Sequence, residues 1–175
     1  MLRRSGLLVS LLAIIFALIP AATASAAPYC GITWGSTAKS ANPTATGNLT
    51  NVRAGRHDCY DRLVFDTTGP ANGYWVSYVD VMHEDPTGAV VPLRGGAKLS
   101  VTVQAPSYDM SGARTYFYAN RAELVNVTGY STFRQVAFAG SFEGSTTVGL
   151  GVRARLPFRV FTLPNRIVVD VAHFW

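Results

Sequence analysis

Two stretches of this chain, Asp61-Arg62-Leu63-Val64-Phe65-Asp66 and Asn165-Arg166-Ile167-Val168-Val169-Asp170, share one pattern: a polar residue, arginine, an aliphatic residue, valine, an apolar residue and aspartate. Such self-similarity implies two copies of one structural unit. Each copy is a β-branched and aromatic run of strand length, and its Arg and Asp stand four residues apart on one strand face. Four residues span about 13 Å along a strand, so the two charges of one copy do not meet each other. Antiparallel, in-register pairing of the copies would instead set Arg62 opposite Asp170 and Arg166 opposite Asp66. The repeat therefore predicts a rigid pair of twin strands, with Arg62, Asp66, Arg166 and Asp170 in structural roles.

Met1 to Ala26 reads as a secretory signal peptide: Arg3 and Arg4 supply the positive start, Leu7 to Ile19 the short apolar core, and Ala24-Ser25-Ala26 a small-residue cleavage site. That core is too short to span a bilayer, and no later segment resembles a membrane span. Cys30 follows Ala27-Pro28-Tyr29 rather than the small-residue run of a lipid-anchor cysteine. The expectation is a secreted, extracellular protein with no membrane anchor after cleavage, leaving about 149 residues as one domain's worth of chain. Removing Arg3 and Arg4 lowers the formal charge from +5 to +3, and Lys39 and Lys98 are the only lysines among the remaining cations. Arginine's planar fork suits carboxylates and phosphates, and without a basic helix or run nucleic acid is not an expected partner.

Cys30 and Cys59, two cysteines in an exported chain, read as one disulfide. Closing the loop between them stabilises the fold by roughly 3 to 4 kcal/mol. A metal site needs more ligands than His57 and Asp58 add nearby, so no metal and no cofactor is expected. Residues 27–58 are read as an arm and loop tethered by the disulfide, with Trp34 docked on the domain surface beside it. Ser40 to Asn51 reads as a loop, and Asn48-Leu49-Thr50 and Asn126-Val127-Thr128 form glycosylation sequons.

From Cys59 to Trp175 strand signals recur every 10 to 20 residues without any helical period, which predicts an all-β domain. In Ala97 to Ala105, Leu99, Val101, Val103 and Ala105 alternate with Lys98, Ser100, Thr102 and Gln104, one face buried and one wet. Tyr74 to Met82 carries aromatics and valines on both faces and reads as lying between layers. Asp109 to Arg114 reads as a mobile loop, and Asn120 to Glu123 as one helical turn. Phe133 to Phe142, Thr146 to Leu156, Phe158 to Leu163 and Arg166 to His173 read as closing strands. In the second of these, Gly149, Gly151, Arg153 and Arg155 share one face, and bare backbone beside two guanidiniums suggests either a flat cationic shelf or a strip covered by a neighbouring aromatic.

Several catalytic patterns fail on a required atom. Ser36-Thr37-Ala38-Lys39 lacks the companion motifs of serine acylases, Gly129-Tyr130-Ser131-Thr132-Phe133 puts Phe133 where a nucleophile elbow needs glycine, and His83-Glu84 lacks a second histidine. A small hydrolase would have to be built around Glu143 with His57 or His173, or with a second carboxylate from Asp80 or Glu84. The expectation is that the chain is not an enzyme.

The twin strands, together with Tyr29-Cys30-Gly31-Ile32-Thr33-Trp34-Gly35-Ser36, Cys59-Tyr60-Asp61-Arg62-Leu63-Val64, Phe142-Glu143-Gly144 and Gly149 to Val160, resemble the AMIN-like domain proteins exported by actinobacteria, relatives of the AMIN module of cell-wall amidases. The resemblance covers Tyr29 to Trp175 and implies a β-sandwich of two related antiparallel sheets, here with its N-terminal arm held by the disulfide, the domain proper running over 59–175. It also implies a non-catalytic envelope module, since AMIN modules localise amidases and pilus secretins on peptidoglycan. The stretch ends at Trp175 with no catalytic or channel module, so a stand-alone wall binder or an accessory protein is expected. Its ligand would be peptidoglycan or another acidic wall polymer, met by Arg153, Arg155 and Arg159 through planar ion pairs and by Tyr116 and Tyr118 through stacking, the two tyrosines sharing one strand face. The alternative is a protein-interaction module for another envelope protein, using a sheet edge at Tyr74 to Met82.

Overall fold

The computed structural model describes residues 28–175, so the expected signal peptide, Met1 to Ala26, lies outside the described residues. Nine strands follow one another: β1 (Lys39–Ala41), β2 (Leu49–Arg56), β3 (Tyr60–Thr67), β4 (Tyr74–Val79), β5 (Ala97–Val103), β6 (Phe133–Phe142), β7 (Ser145–Val152), β8 (Phe158–Leu163) and β9 (Arg166–Ala172). A 3-10 turn at Tyr29–Gly31 is the one helical element among the described residues. The strands form two antiparallel sheets, one ordered β1-β4-β5-β7-β6 and the other β2-β3-β9-β8. The all-β sandwich expected from the sequence is the fold.

The twin strands are β3 and β9, adjacent and antiparallel in the four-stranded sheet, with Arg62 opposite Asp170 and Asp66 opposite Arg166. The register is fixed by burial, because a one-residue slip would turn Leu63, Phe65, Ile167, Val169 and Val171 out of the core and their charged neighbours into it. Across the interface Leu99, Val101 and Val103 of β5 and Val148, Leu150 and Val152 of β7 complete one core. The alternation seen in Ala97 to Ala105 holds, with all four predicted inward residues fully buried.

Three local expectations are corrected. Ser40 to Asn51 is not a loop throughout: its ends belong to β1 and β2, and β2 pairs along β3 from Leu49 to Arg56. The composition concealed this strand because only Leu49 and Val52 of it are buried, as befits an edge held by main-chain pairing. Tyr74 to Met82 is not covered on both faces, for Val76 faces the core while Trp75 is exposed; β1 also pairs along Tyr74 to Val76, so the first half of the sheet edge expected there is occupied. The segment Asp109 to Arg114 is a closed turn in which the Asp109 carboxylate accepts hydrogen bonds from Ser111 N, Ser111 Oγ and Ala113 N.

Tight connections set the ends of the sandwich. The β6–β7 hairpin turns through Glu143 and Gly144, both at positive φ (46° and 81°), which suits the twist of paired strands. The Cys30–Cys59 disulfide ties the arm to the start of β3 across a sequence separation of 29.

Candidate functional site

Outward-facing residues of the four-stranded sheet come from alternate positions of each strand, and in this chain those positions hold charge. Asp170, wholly buried, accepts from Arg62 Nε (2.7 Å), Arg62 Nη2 (2.9 Å) and Arg159 Nε (2.8 Å). Two turns of the pleat away, Asp66 pairs with Arg53 at 2.8 Å and with Arg166 at 3.3 Å. Four guanidiniums against two carboxylates leave this face with two positive charges in excess. Burial acts to raise the Asp66 carboxyl, but hydrogen bonds and charge from Arg53, with Asn51 and Arg166, outweigh it and hold the group below the ordinary carboxylate value. The hydrogen bonds that Arg62 donates to Asp170 raise its guanidinium above its ordinary value against a smaller opposing effect of burial.

Aromatic rings cover the Asp170 cluster. Arg62 lies 5.2 Å from the Tyr60 ring and 5.3 Å from Phe161, while Arg159 lies 5.0 Å from Phe161, 5.3 Å from Tyr60 and 5.4 Å from Trp34. Stacked guanidiniums of this kind keep one planar face against a ring and their outer edge available to another acceptor. Trp34 is brought here by the arm: its Nε1 donates to Tyr29 O at 2.8 Å, and the disulfide holds Tyr29 beside the start of β3.

The same tryptophan forms one wall of a cleft of about 390 Å³ lined by Pro28, Tyr29, Ile32, Thr33, Pro157 and Trp175. Phe174 meets Tyr29 edge to face at 6.0 Å, and Arg153 reaches over the Phe174 ring while donating to His173 O. Phe174 and Trp175 are both largely exposed. Arg159 therefore lies against one wall of the cleft, Trp34, and Arg153 is linked to another, Tyr29, through the Phe174 ring. Arg155 lies apart, 4.7 Å from the ring of Tyr78, whose hydroxyl accepts from Leu156 N and donates to Leu156 O. Burial pushes the Tyr78 phenol up to about 12, beyond what the Leu156 N–H and Arg155 draw back, so it stays a neutral anchor.

Tyr116 and Tyr118 are elsewhere, in an irregular segment rather than a strand, lining a different cleft with Phe138 and Ser141. Tyr116 is only 4% exposed, so its ring offers no open stacking platform. The flat Gly149–Gly151 shelf is corrected as well. A Cβ at Gly149 would meet Leu93 and Met82, and one at Gly151 would lie 2.0 Å from Arg94 O, because the segment between β4 and β5 crosses this face. Neither covering group is aromatic, and β7 ends at Val152, before Arg153 and Arg155.

Neither histidine named for acid/base work stands beside Glu143. Both nitrogens of His173 are engaged, by Asp58 O at 3.1 Å and Asp61 Oδ1 at 3.2 Å, and His57 stacks on Tyr60. Asp61 also accepts from Phe133 N, at the start of β6, whereas Glu143 follows the far end of that strand, roughly 30 Å on at strand rise. Glu84 is paired with Arg121. Among the described residues no three His, Cys, Asp or Glu side chains converge as a metal site, and no helix is long and apolar enough to cross a membrane.

Sequence reasoning named Arg153, Arg159 and Trp34 without Tyr29, Tyr60, Phe161, Phe174 and Trp175, the rings that stand beside them. The available signal was the concentration of aromatics beside both cysteines and after the last strand. Compared with known proteins, the chain matches one family model, described as the AMIN-like domain, over residues 47–173. No curated protein and no solved structure matches it.

Proposed function

The chain belongs to the AMIN-like domain family, and from that premise we propose that it is a non-catalytic cell-envelope module that binds an acidic wall glycopeptide such as peptidoglycan. The observation that carries this reading is the contact of Arg159 with Trp34 and of Arg153 with Phe174, itself packed on Tyr29, beside the cleft of Tyr29, Trp34 and Trp175 and next to a sheet face with surplus positive charge. Planar guanidiniums pair with carboxylates, and exposed aromatic rings stack on the apolar faces of sugars. The test is co-sedimentation of the purified protein with insoluble peptidoglycan over a salt series. Retention that weakens with salt and falls in Trp175→Ala and Arg153→Gln is expected, and absence of retention at low salt refutes the proposal.

One observation favours a second reading, a protein-interaction module. Phe158 N of β8 donates outward to Gly35 O, so by the period of two the main-chain groups of Val160 and Thr162 also face away from β9. They border a groove of about 460 Å³ shared with Asn42, Asn72 and Tyr74, where an extended peptide could add a strand. Val160→Pro removes only an outward N–H and would abolish such pairing without unfolding the sheet. Partner capture that survives this variant refutes edge pairing.

A further inference from the structure

At the end of the sandwich remote from the arm, the segment after β5 folds back against the β6–β7 hairpin and leaves a cleft of about 260 Å³. Its walls are fixed by main-chain and side-chain bonds. Ser107 N donates to Ser141 Oγ (3.0 Å), Thr115 N to Ser107 O (2.9 Å), Thr115 Oγ1 to Leu49 O (2.7 Å), and Gly144 N to the Tyr108 hydroxyl (3.3 Å). The Tyr108–Arg114 bridge closes the loop between them. The floor is a run of rings, Tyr116 to Tyr118 at 5.7 Å and Tyr118 to Phe138 at 4.9 Å.

Two groups here are left without protein partners. The Tyr116 ring is buried, with 4% of the residue exposed, while its hydroxyl makes no hydrogen bond with any described residue and reaches solvent at the border of the cleft. Burial lifts its phenol to about 12, with a further push from Tyr118, so it stays protonated and able to donate. Arg114 borders the same space, is exposed, and forms no ion pair with a described carboxylate, while the nearby Asp109 carboxylate is turned inward to Ser111 and Ala113. The Tyr108 hydroxyl accepts from Gly144 N and keeps its own proton free. A guanidinium and two hydroxyl protons without protein partners, lining one preformed cleft, are the donors a ligand carboxylate requires.

We propose that this cleft binds a single carboxylated sugar ring, its carboxylate on Arg114 and the Tyr116 and Tyr108 hydroxyls, its apolar face on Tyr118 and Phe138. The volume suits one ring rather than an oligomer, and no carboxylate lines the cleft to repel an anion. The site is independent of the aromatic cleft at the arm, which stands at the opposite end of β6.

Calorimetric titration with glucuronate tests this, using glucose as the uncharged ring and acetate as the ring-less acid. Glucuronate should bind at least about tenfold more tightly than either control, as expected for a hydrogen-bonded ion pair in a partly desolvated site. Tyr116→Phe should weaken it by about fivefold and Arg114→Gln by about tenfold or more, neither moving the urea midpoint because neither removes an internal bond. Trp175→Ala should leave the glucuronate titration untouched, whatever it does to peptidoglycan retention. Glucuronate binding no better than glucose, no saturable binding, or unchanged titrations in both cleft variants would overturn the assignment.

Discussion

The twin strands supply an internal comparison, because one chemical pattern stands in two environments. Asp170 is 0% exposed and its partners Arg62 and Arg159 are 23% and 30% exposed, whereas Asp66 is 23% exposed with partners at 48% and 50%. Replacing each aspartate by asparagine keeps the side-chain shape and removes the charge. At position 170 the amide oxygen can satisfy only part of what the carboxylate accepts, and the new NH2 faces guanidinium donors. The arginines are confined by Tyr60 and Phe161 and cannot withdraw freely to water. Removing one partner of a buried pair costs about 3–5 kcal/mol, so Asp170→Asn should fall near that range. Asp66→Asn should cost no more than about 1 kcal/mol, since exposed pairs contribute little. With a urea slope of about 2 kcal/mol per molar, the midpoint falls by roughly 1.5–2.5 M in the first variant and by under about 0.5 M in the second. The assay is equilibrium urea unfolding followed by tryptophan fluorescence and far-UV circular dichroism, with coincident transitions as the check on two-state behaviour. Equal shifts in the two variants, or a loss under about 1 kcal/mol for Asp170→Asn at unchanged slope, refute the claim that burial rather than pattern sets the worth of each pair.

Three further outcomes are expected. Replacing Cys30 and Cys59 by serine should destabilise the domain by roughly 3–4 kcal/mol through restored loop entropy, and lower peptidoglycan retention by freeing the arm that carries Trp34, both read by unfolding and co-sedimentation. Gly151→Ala places its Cβ against Arg94 backbone and should cost about 1–3 kcal/mol, whereas Gly149→Ala meets the movable ends of Leu93 and Met82 and should cost less; thermal melts rank the two. Because the Asp66 carboxyl is lowered in the folded state, its contribution is complete above the ordinary value of 3.8 and is lost as pH falls through its folded value; the stability difference between wild type and Asp66→Asn should therefore shrink as pH falls below 3.8, and a difference that grows or holds constant on acidification would contradict the assignment.

Legibility of the site followed the range of the interactions. Arg159 reads as a ligand-facing arginine from its strand, and the structure adds that it is half committed to Asp170 through Nε at 2.8 Å. Tyr116 and Tyr118 read as an exposed pair only if their segment is a strand; the absence of a pairing partner lets the chain turn Tyr116 inward and leave Phe117 exposed. β2 escaped notice because Leu49-Thr50-Asn51-Val52-Arg53-Ala54-Gly55-Arg56 has little β-branched apolar content and is made a strand by β3 beside it.

By itself the sequence determined the all-β class, the Cys30–Cys59 tether and the pairing register of Arg62 with Asp170 and Asp66 with Arg166. These rest on a period of two and on cysteine count, both carried by the chain without reference to distant neighbours. Only the tertiary structure decided that Leu93 and Arg94 cover the glycines of β7, that the arm brings Trp34 and Tyr29 to Trp175, and that one twin aspartate is buried while the other meets water. Those outcomes depend on which loop crosses which face, and strand alternation says that a residue points outward without saying what is waiting there.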